Sequence, residues 1–338
     1  MKTILVTGGA GFNGSNFVRY LLRNHPSYTV LVLDKLTYAG NMDNLLDVQN
    51  GPNFSFVRGD ICDRAIVDRV VSRSSVIVNF AAETHVDRSI LDSSAFIRTN
   101  VYGTSVLLEA ARGHGVEKLV HISTDEVYGS RQEGSFVEDD PLHPNNPYSA
   151  SKAAADMLVL SYYKTYGMPV TITRSSNKFG PYQYPEKLIP LFVTNALEDK
   201  GLPLYGDGLN VRDWVYVEDL CQALDVVLHK GESGEVYNIG AADERTNLEI
   251  AHRILDSLDK PRDLLAFVQD RPAHDRRYSV DWSKIKALGW QPRHAFEEAL
   301  RETIAWYREN GWWWKKIKGR QKPFQEYYRR QYATLASS

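Results

Sequence analysis

A short apolar run from Thr3 to Val6 breaks into Thr7-Gly8-Gly9-Ala10-Gly11-Phe12-Asn13-Gly14 and then continues as an amphipathic stretch to Arg23. Few folds place glycines at Gly8, Gly11 and Gly14 between a buried strand and a helix. Such a turn presents bare backbone N–H groups at a helix N-terminus, and without side chains a phosphate can approach closely. A second apolar run, Thr29 to Leu33, ends on Asp34, about 20 residues beyond the turn. A carboxylate there accepts both ribose hydroxyls of a dinucleotide and repels a 2'-phosphate, which favours NAD over NADP. A glycine-rich turn can also merely join a strand to a helix. Here strand, helix and acid are all in place, and the dinucleotide site is the stronger reading. Phe12 and Asn13 complete the turn. Asn13 stands where an apolar residue is usual, and is expected to loosen packing of the helix without touching the phosphate site.

The same alternation continues. Strands are predicted at Phe54 to Arg58, Val76 to Asn79, Lys118 to Ser123 and Val170 to Arg174, with helices around 95–112 and 149–166. Unbroken apolar runs such as TILV, VLVL and SVIVNF suit parallel strands buried on both faces. The pattern predicts an α/β fold with a doubly wound parallel sheet of the Rossmann type, over residues 1–175. Beyond about Ser175, Pro, Gly and Tyr become frequent, so residues 176–338 are expected to form mainly a smaller substrate-binding region. DWVYVEDL and GEVYNIG still look like strands, and segments within about 213–242 are expected to return to the first sheet.

With 338 residues and 43% hydrophobic content the chain can bury a large core, and a net charge of -2 provides no basic footprint for nucleic acid or an anionic membrane. Cys62 and Cys221 lack metal-ligand spacing, so neither a disulfide framework nor a metal is expected. MKTILVTGG runs straight into a strand with no signal-peptide pattern, and no stretch has the apolar length of a membrane span. A soluble cytoplasmic enzyme of small molecules is the expectation.

The chemistry gathers at predicted strand ends, the edge where ligands bind in such sheets. Asp60 and Ile61 follow the third strand, and Ala81 and Ala82 follow the fourth, small enough for a cofactor to lie close. Tyr148 and Lys152 are four residues apart at the start of a helix and project from one face. A tyrosine needs its pKa lowered by about 3 units, roughly 4 kcal/mol, to act as a base near neutrality, and a neighbouring ammonium with a nicotinamide cation would supply that. Thr124, Asp125 and Glu126 end another strand. In an extended strand the two carboxylates would point to opposite faces, so both reach one substrate only if the chain is already turning. A solvated acidic turn is the alternative. An adjacent acid and base suit elimination beside a ketone. Once C4 of a hexose is oxidised, Glu126 would take the C5 proton and Asp125, its pKa raised, would protonate the departing C6 hydroxyl. Thr124 can donate a hydrogen bond to a sugar hydroxyl beside Tyr148.

LTYAGN (36–41), AAETHVDRSI from Ala81, STDEVYG from Ser123, YSASKA from Tyr148, GPYQYPEKLIP from Gly180, GDGLNVRDWVYVEDL from Gly206 and DRPAHDRRYSVD from Asp270 together resemble the dTDP-glucose 4,6-dehydratases of the extended short-chain dehydrogenase family, over nearly the whole length. The spacing of the three glycines is that family's variant. The resemblance implies oxidation at C4, loss of water across C5 and C6, and return of the hydride to C6. NAD would stay tightly bound and be regenerated each turnover. It also implies that Lys35, Thr37 and Thr84 join the cofactor contacts, with Tyr148 and Lys152. Asn177, Glu186, Lys187, Leu188, Arg212, Asn247, Arg271, His274 and Tyr278 would contact diphosphate and sugar. Guanidinium forks match diphosphate oxygens; His274 is either a ligand contact or a satisfied structural histidine. Two departures from the family stand out: Ala273 where glycine is usual, which matters if that backbone needs a positive φ, and Thr84 where serine is frequent. Trp312-Trp313-Trp314 is expected to pack rather than react.

A nucleotide-sugar 4-epimerase shares fold, NAD, Tyr148 and Lys152, but needs no acid and base at C5 and C6. A dehydratase acting on UDP-glucose and a non-catalytic dinucleotide sensor are the other rivals. The helices at 95–112 and 149–166 are apolar on more than one face, which predicts a homodimer.

Overall fold

β1 (Thr3–Thr7), β2 (Thr29–Asp34), β3 (Phe54–Arg58), β4 (Val76–Asn79), β5 (Lys118–Thr124) and β6 (Val170–Ser175) pair in parallel, as their unbroken apolar sequences require. The computed structural model describes residues 2–320 and 322–332. Further strands are β7 (Asn177–Phe179), β8 (Leu202–Tyr205), β9 (Val211–Tyr216), β10 (Val236–Ile239), β11 (Glu244–Thr246) and β12 (Leu265–Val268). The main sheet has seven strands in the order β10-β6-β5-β4-β1-β2-β3, the doubly wound parallel arrangement that the sequence predicts. The order reverses between β1 and β4.

Helices cover both faces. On one side α1 (Phe12–Asn24) buries Phe17, Val18 and Leu21. On the other, α2 (Arg64–Val71) contributes Val67 and Val70. After β4 come α3 (Val86–Leu91) and α4 (Ser94–Phe96), then a π-helical segment, Ile97–Gly103, that runs into α5 (Thr104–His114). The helix expected at 95–112 is therefore not uniform. Asn100 on the wide turn reaches away from the helix, accepting from the Glu83 N–H at 2.8 Å and donating to the Glu83 carbonyl at 3.0 Å. π-turns of this kind are concentrated at functional sites.

α6 (Pro147–Tyr166) begins on a capping box. The Asn146 side chain accepts from the Ser149 N–H, Ser149 Oγ answers the Asn146 N–H, and Pro147 supplies a pre-set φ. Tyr148 and Lys152 are thereby fixed in the first two turns.

α7 (Leu188–Ala196), α8 (Val217–Lys230), α9 (Asn247–Ser257), α10 (Ser283–Ala287), α11 (Phe296–Glu309), α12 (Gly311–Arg320) and α13 (Lys322–Gln331) complete the helices. A separate core of Phe179, Leu191, Phe192, Ile250, Leu300 and Tyr307 lies beneath a second sheet, β11-β9-β7. Of the two segments expected to return to the main sheet, β10 does so, beside β6, and α8 packs on that sheet with Leu220, Leu224 and Val227. β9 does not. It pairs with β7 and β11, and Asp213 secures it there by accepting from the Ala241 and Asp243 N–H groups at 2.9 Å each. Trp313 and Trp314 are buried, whereas Trp312 is half exposed. Among the described residues no helix is long and apolar enough to cross a membrane.

Candidate active site

At the carboxyl ends of β1 and β4, where the strand order reverses, a cleft opens. Gly8, Gly11, Phe12, Asn13 and Gly14 form one wall, continued by Asp34, Lys35 and Thr37 after β2, Asp60 and Ile61 after β3, and Ala81, Ala82 and Thr84 after β4. Gly8 has φ +68°, and a Cβ on it would lie 2.7 Å from the Ala81 nitrogen; a Cβ on Gly14 would overlap the Gly8 carbonyl oxygen. These positions require glycine. Gly11 caps α1 with no side-chain bond to the first-turn N–H groups, which face the cleft unclaimed.

Asp34 accepts from the Ala10 N–H at 2.9 Å and the Leu36 N–H at 2.8 Å. Burial pushes its carboxyl above the usual range and those two bonds pull the other way. The remaining lone pairs can take hydroxyl donors. Lys35 is drawn to Asp60 at 2.8 Å. Phe17, Val18 and Leu21 carry the packing of α1 on the sheet, whereas Asn13 lines the cleft beside Gly11 and Gly14 with its Oδ1 buried and unpartnered, so it lies at the phosphate site that it was expected not to touch. Bare helix N–H groups, a held carboxylate and no room for Cβ atoms together fit an extended dinucleotide.

The opposite wall starts where β5 ends. The chain turns immediately into a 3₁₀ segment, Asp125–Tyr128, capped by Thr124 Oγ1, which accepts from the Glu126 N–H at 3.3 Å. That turn brings both acids to the cleft. Asp125 Oδ2 and Glu126 Oε2 are buried without a hydrogen-bond partner. Burial holds the Asp125 carboxyl up at about 7; Glu126 and Asp213 add to this, while Lys178 and Arg212 oppose it.

Tyr148 and Lys152 line the same chamber. Lys152 Nζ donates to the Ile122 carbonyl at 2.6 Å, and burial lowers its pKa to about 8. The Tyr148 phenol is not depressed as the spacing suggests. Burial, then the Glu126 carboxylate, push it above the ordinary tyrosine value, and a hydrogen bond with Thr124 only partly offsets them. Lys152 rests one N–H on the Ile122 carbonyl and keeps its charge in the chamber; the second cation that the lowering calls for, a nicotinamide ring, belongs to the cofactor.

A second chamber adjoins the first and shares Glu126, Asn177, Glu186 and Lys187 with it. Leu188, Arg212, Asn247, Arg271, His274 and Tyr278 line it. Arg212 donates to the Val211 carbonyl at 2.7 Å and the Asp275 carbonyl at 2.9 Å, with its guanidinium 4.3 Å over the Tyr278 ring. Tyr278 in turn bonds Asp275. Arg271 pairs with Asp87 at 3.3 Å and keeps a buried Nε without a partner. Lys187 reaches the Thr84 carbonyl. Glu186 is not open to a ligand on all sides, because Arg88 holds it at 2.9 Å. His274 lines the chamber and is also bonded to Asp270 at 2.6 Å; burial lowers its pKa to about 4, so it faces the chamber neutral near pH 7. Asn247 is placed by a second capping box, Thr246 with Glu249.

Several cleft residues are not singled out by the sequence alone. Lys178 on β7, half-buried, faces Asp125 and Glu126. Its signal is a cation inside the otherwise uncharged SSNKFGPY. Tyr38 lies under the Arg88 guanidinium at 4.1 Å. Asn100, buried behind the cleft, carries no local signal, since only the π-turn aims it at Glu83 and Ser151.

With the geometry in hand, the chain matches the GDP-mannose 4,6 dehydratase family model over residues 5–303. It is 54% identical over 320 residues to a dTDP-glucose 4,6-dehydratase of Streptomyces niveus, covering 93% of this chain and 95% of that one. It is 55% identical to the low-salt glycan biosynthesis protein Agl12 of Haloferax volcanii, covering 90% and 98%. The solved structure of DesIV, a dTDP-glucose 4,6-dehydratase from Streptomyces venezuelae with NAD bound, superposes with a TM-score of 0.92 at 51% identity, covering 94% of this chain and all of that one. Such identity over almost the entire length, across both chambers, shows that the chain belongs to the dTDP-glucose 4,6-dehydratase family.

Proposed function

We propose that the chain is an NAD-dependent dTDP-glucose 4,6-dehydratase, forming dTDP-4-keto-6-deoxyglucose, with the residues described above in the following roles. The observation that carries this reading is the pair of carboxyl groups on one turn, with Asp125 held near neutrality inside the cleft. Bound in the first chamber, NAD would supply the acceptor for a C4 hydride that is later given to C6, so the net reaction would be redox-neutral and the cofactor would not need to exchange.

The chain's own groups do the rest. N–H groups at the start of α1, with Gly8, Gly11 and Gly14 clearing the space, hold the cofactor diphosphate, and Asp34 takes ribose hydroxyls. Lys35, Thr37, Asp60, Ile61, Ala81, Ala82 and Thr84 complete that chamber. Tyr148 would remove the C4 hydroxyl proton with Thr124 beside it; Lys152 and the ring of the bound cofactor would supply the positive charge that lowers its pKa. Glu126 takes the C5 proton and gives it back to C5 as the hydride arrives at C6. Asp125 gives its proton to the C6 hydroxyl, which departs as water, and the burial that holds its carboxyl near 7 keeps that proton available at neutral pH. Arg212, Arg271 and Lys187 supply positive charge for the nucleotide diphosphate, and Asn177, Glu186, Leu188, Asn247, His274 and Tyr278 shape the rest of the second chamber.

A 4-epimerase has no use for an acid and base at C5 and C6, and a cofactor sensor has no use for Tyr148, Asp125 or Glu126 in the cleft. Ile97, Tyr102, Met157 and Tyr166 expose apolar surface on the π segment and α6, which supports a homodimer joined through these helices. Sedimentation should give twice the chain mass at micromolar concentration. Both cysteines are buried and free, which suits the cytoplasm. The functional test is incubation with dTDP-glucose and no added NAD, in parallel with UDP-glucose. Loss of one water from dTDP-glucose alone is expected; a product of unchanged mass would replace this reading with epimerisation.

A further inference from the structure

The C-terminal tryptophan run has no part in the chemistry above, yet one of its members reaches the dinucleotide turn. Trp313 on α12 is 1% exposed and donates its indole N–H to Asn44 Oδ1 at 2.8 Å. Asn44, equally buried, donates its amide to the Ala10 carbonyl at 2.8 Å. Ala10 is the middle of the glycine turn. Its carbonyl also accepts from the Asn41 N–H at 3.0 Å, and its own N–H goes to Asp34.

This chain of bonds has a fixed direction. An indole N–H can only donate, so Asn44 must present its oxygen to Trp313 and its NH₂ to Ala10; the flipped amide would face donor with donor and acceptor with acceptor. The indole itself cannot turn, packed edge-on at 5.3 Å against Trp306 and 6.0 Å against Tyr182. Two more contacts tie the same turn down. Arg19 of α1 donates to the Asn44 carbonyl, and Lys316, one turn beyond Trp313, pairs with Asp43.

We propose that Trp313 is a positioning residue for the cofactor: acting through Asn44, it holds the Ala10 carbonyl and so sets the glycine turn and Asp34 in the arrangement that binds the dinucleotide. α12 is then part of the cofactor site although none of its described residues lines the cleft. This rests on the NAD reading above.

The test compares NAD affinity of stripped protein by calorimetry, and NAD retained after gel filtration, for the intact chain, Trp313→Phe, Asn44→Ser and both together. Phenylalanine keeps most of the bulk and removes the N–H; serine shortens the same link without touching the tryptophan packing. Each single change is expected to weaken NAD binding about tenfold, and the pair no more than either alone, because they cut one path. Trp312→Phe, at the exposed neighbour, should leave the affinity unchanged. If either variant folds and binds NAD like the intact chain, or if the two losses add, the inference is overturned. An intact chain with no affinity for NAD would overturn the functional reading as well, and that result appears before any variant is measured.

Discussion

The cleft wall that follows β1 to β4 offers mainly backbone, whereas the wall facing it offers charge. On the first side stand glycines without room for a Cβ, the N–H groups of α1, and Asp34 held by two further N–H groups. On the second they are Asp125, Glu126, Lys178, Arg212, Arg271 and Lys187, drawn from five separate stretches of chain and tuned by one another through a poorly solvated space. The first wall needs shape, which one contiguous turn can encode. The second needs several charges at once, which only the assembled fold can bring together.

The largest effect should come from the charged wall. Asp125→Asn is expected to lower turnover by about 10²–10⁴, the usual worth of a positioned general acid, with little change in nucleotide-sugar affinity. The same substitution should stabilise the protein. Asp125 titrates at about 7 in the folded chain against 3.8 normally. Between those values the folded chain keeps a proton that the unfolded chain has lost, so this group's contribution to stability falls as pH rises from about 4 to 7 and is level above that. The difference approaches about 4 kcal/mol as an upper figure. Denaturant unfolding should therefore show Asp125→Asn more stable than the parent at pH 8 and similar to it at pH 4; equal midpoints at pH 8 would remove the argument that burial keeps the Asp125 carboxyl protonated.

The next pair sets one wall against the other. Gly14→Ala forces a methyl group onto the Gly8 carbonyl and should cost about 1–3 kcal/mol of stability together with most of the retained NAD. Arg271→Ala should leave NAD in place and raise KM for dTDP-glucose about ten- to a hundredfold, the loss of a charge-assisted bond. Should Arg271→Ala strip the cofactor as Gly14→Ala does, the two chambers are not separable.

Lys178→Met probes the charged wall more finely. Asp125 faces Glu126, Lys178, Arg212 and Asp213, and Lys178 in turn faces Lys187 and Lys152. Removing the ammonium lets the Asp125 pKa rise further, so the alkaline limb of the pH–rate profile should move up by about one unit, and Lys178→Arg should move it back. A uniform loss of rate with no shift along the pH axis would reduce Lys178 to a packing role.

Legibility in the sequence follows the same division. Gly8, Gly11, Gly14 and Asp34 announce themselves because the turn and the strand end carry local patterns, and the seven-stranded sheet follows from apolar runs of the right length. β9 is harder to place, since WVY reads as a strand for either sheet, while its pairing with β7 and β11 and the bonds from Ala241 and Asp243 to Asp213 join residues distant in sequence. Tyr148 and Lys152 are legible as a pair by spacing, but spacing could not say that the ammonium would rest on the Ile122 carbonyl. Asn100 depends on a π-turn, and Trp313 on a partner 269 positions away; neither distance is written in any local pattern.

The smallest expected effect tests whether the charged wall makes a backbone demand of its own. Ala273, between Arg271 and His274, has φ +52°, the left-handed region in which an L side chain costs about 1–2 kcal/mol. Glycine, usual here in the family the chain resembles, would relieve that strain but give back about 0.5–1 kcal/mol through the freer unfolded chain. The two nearly cancel, so Ala273→Gly should raise stability by less than about 1 kcal/mol and change KM for dTDP-glucose only a few-fold. Thermal unfolding and KM measured together are informative. A clear loss of stability would mean that the loop tolerates the methyl group without strain. A large gain in affinity would mean that the strain is transmitted to Arg271 and His274, and that this wall too is set by its backbone.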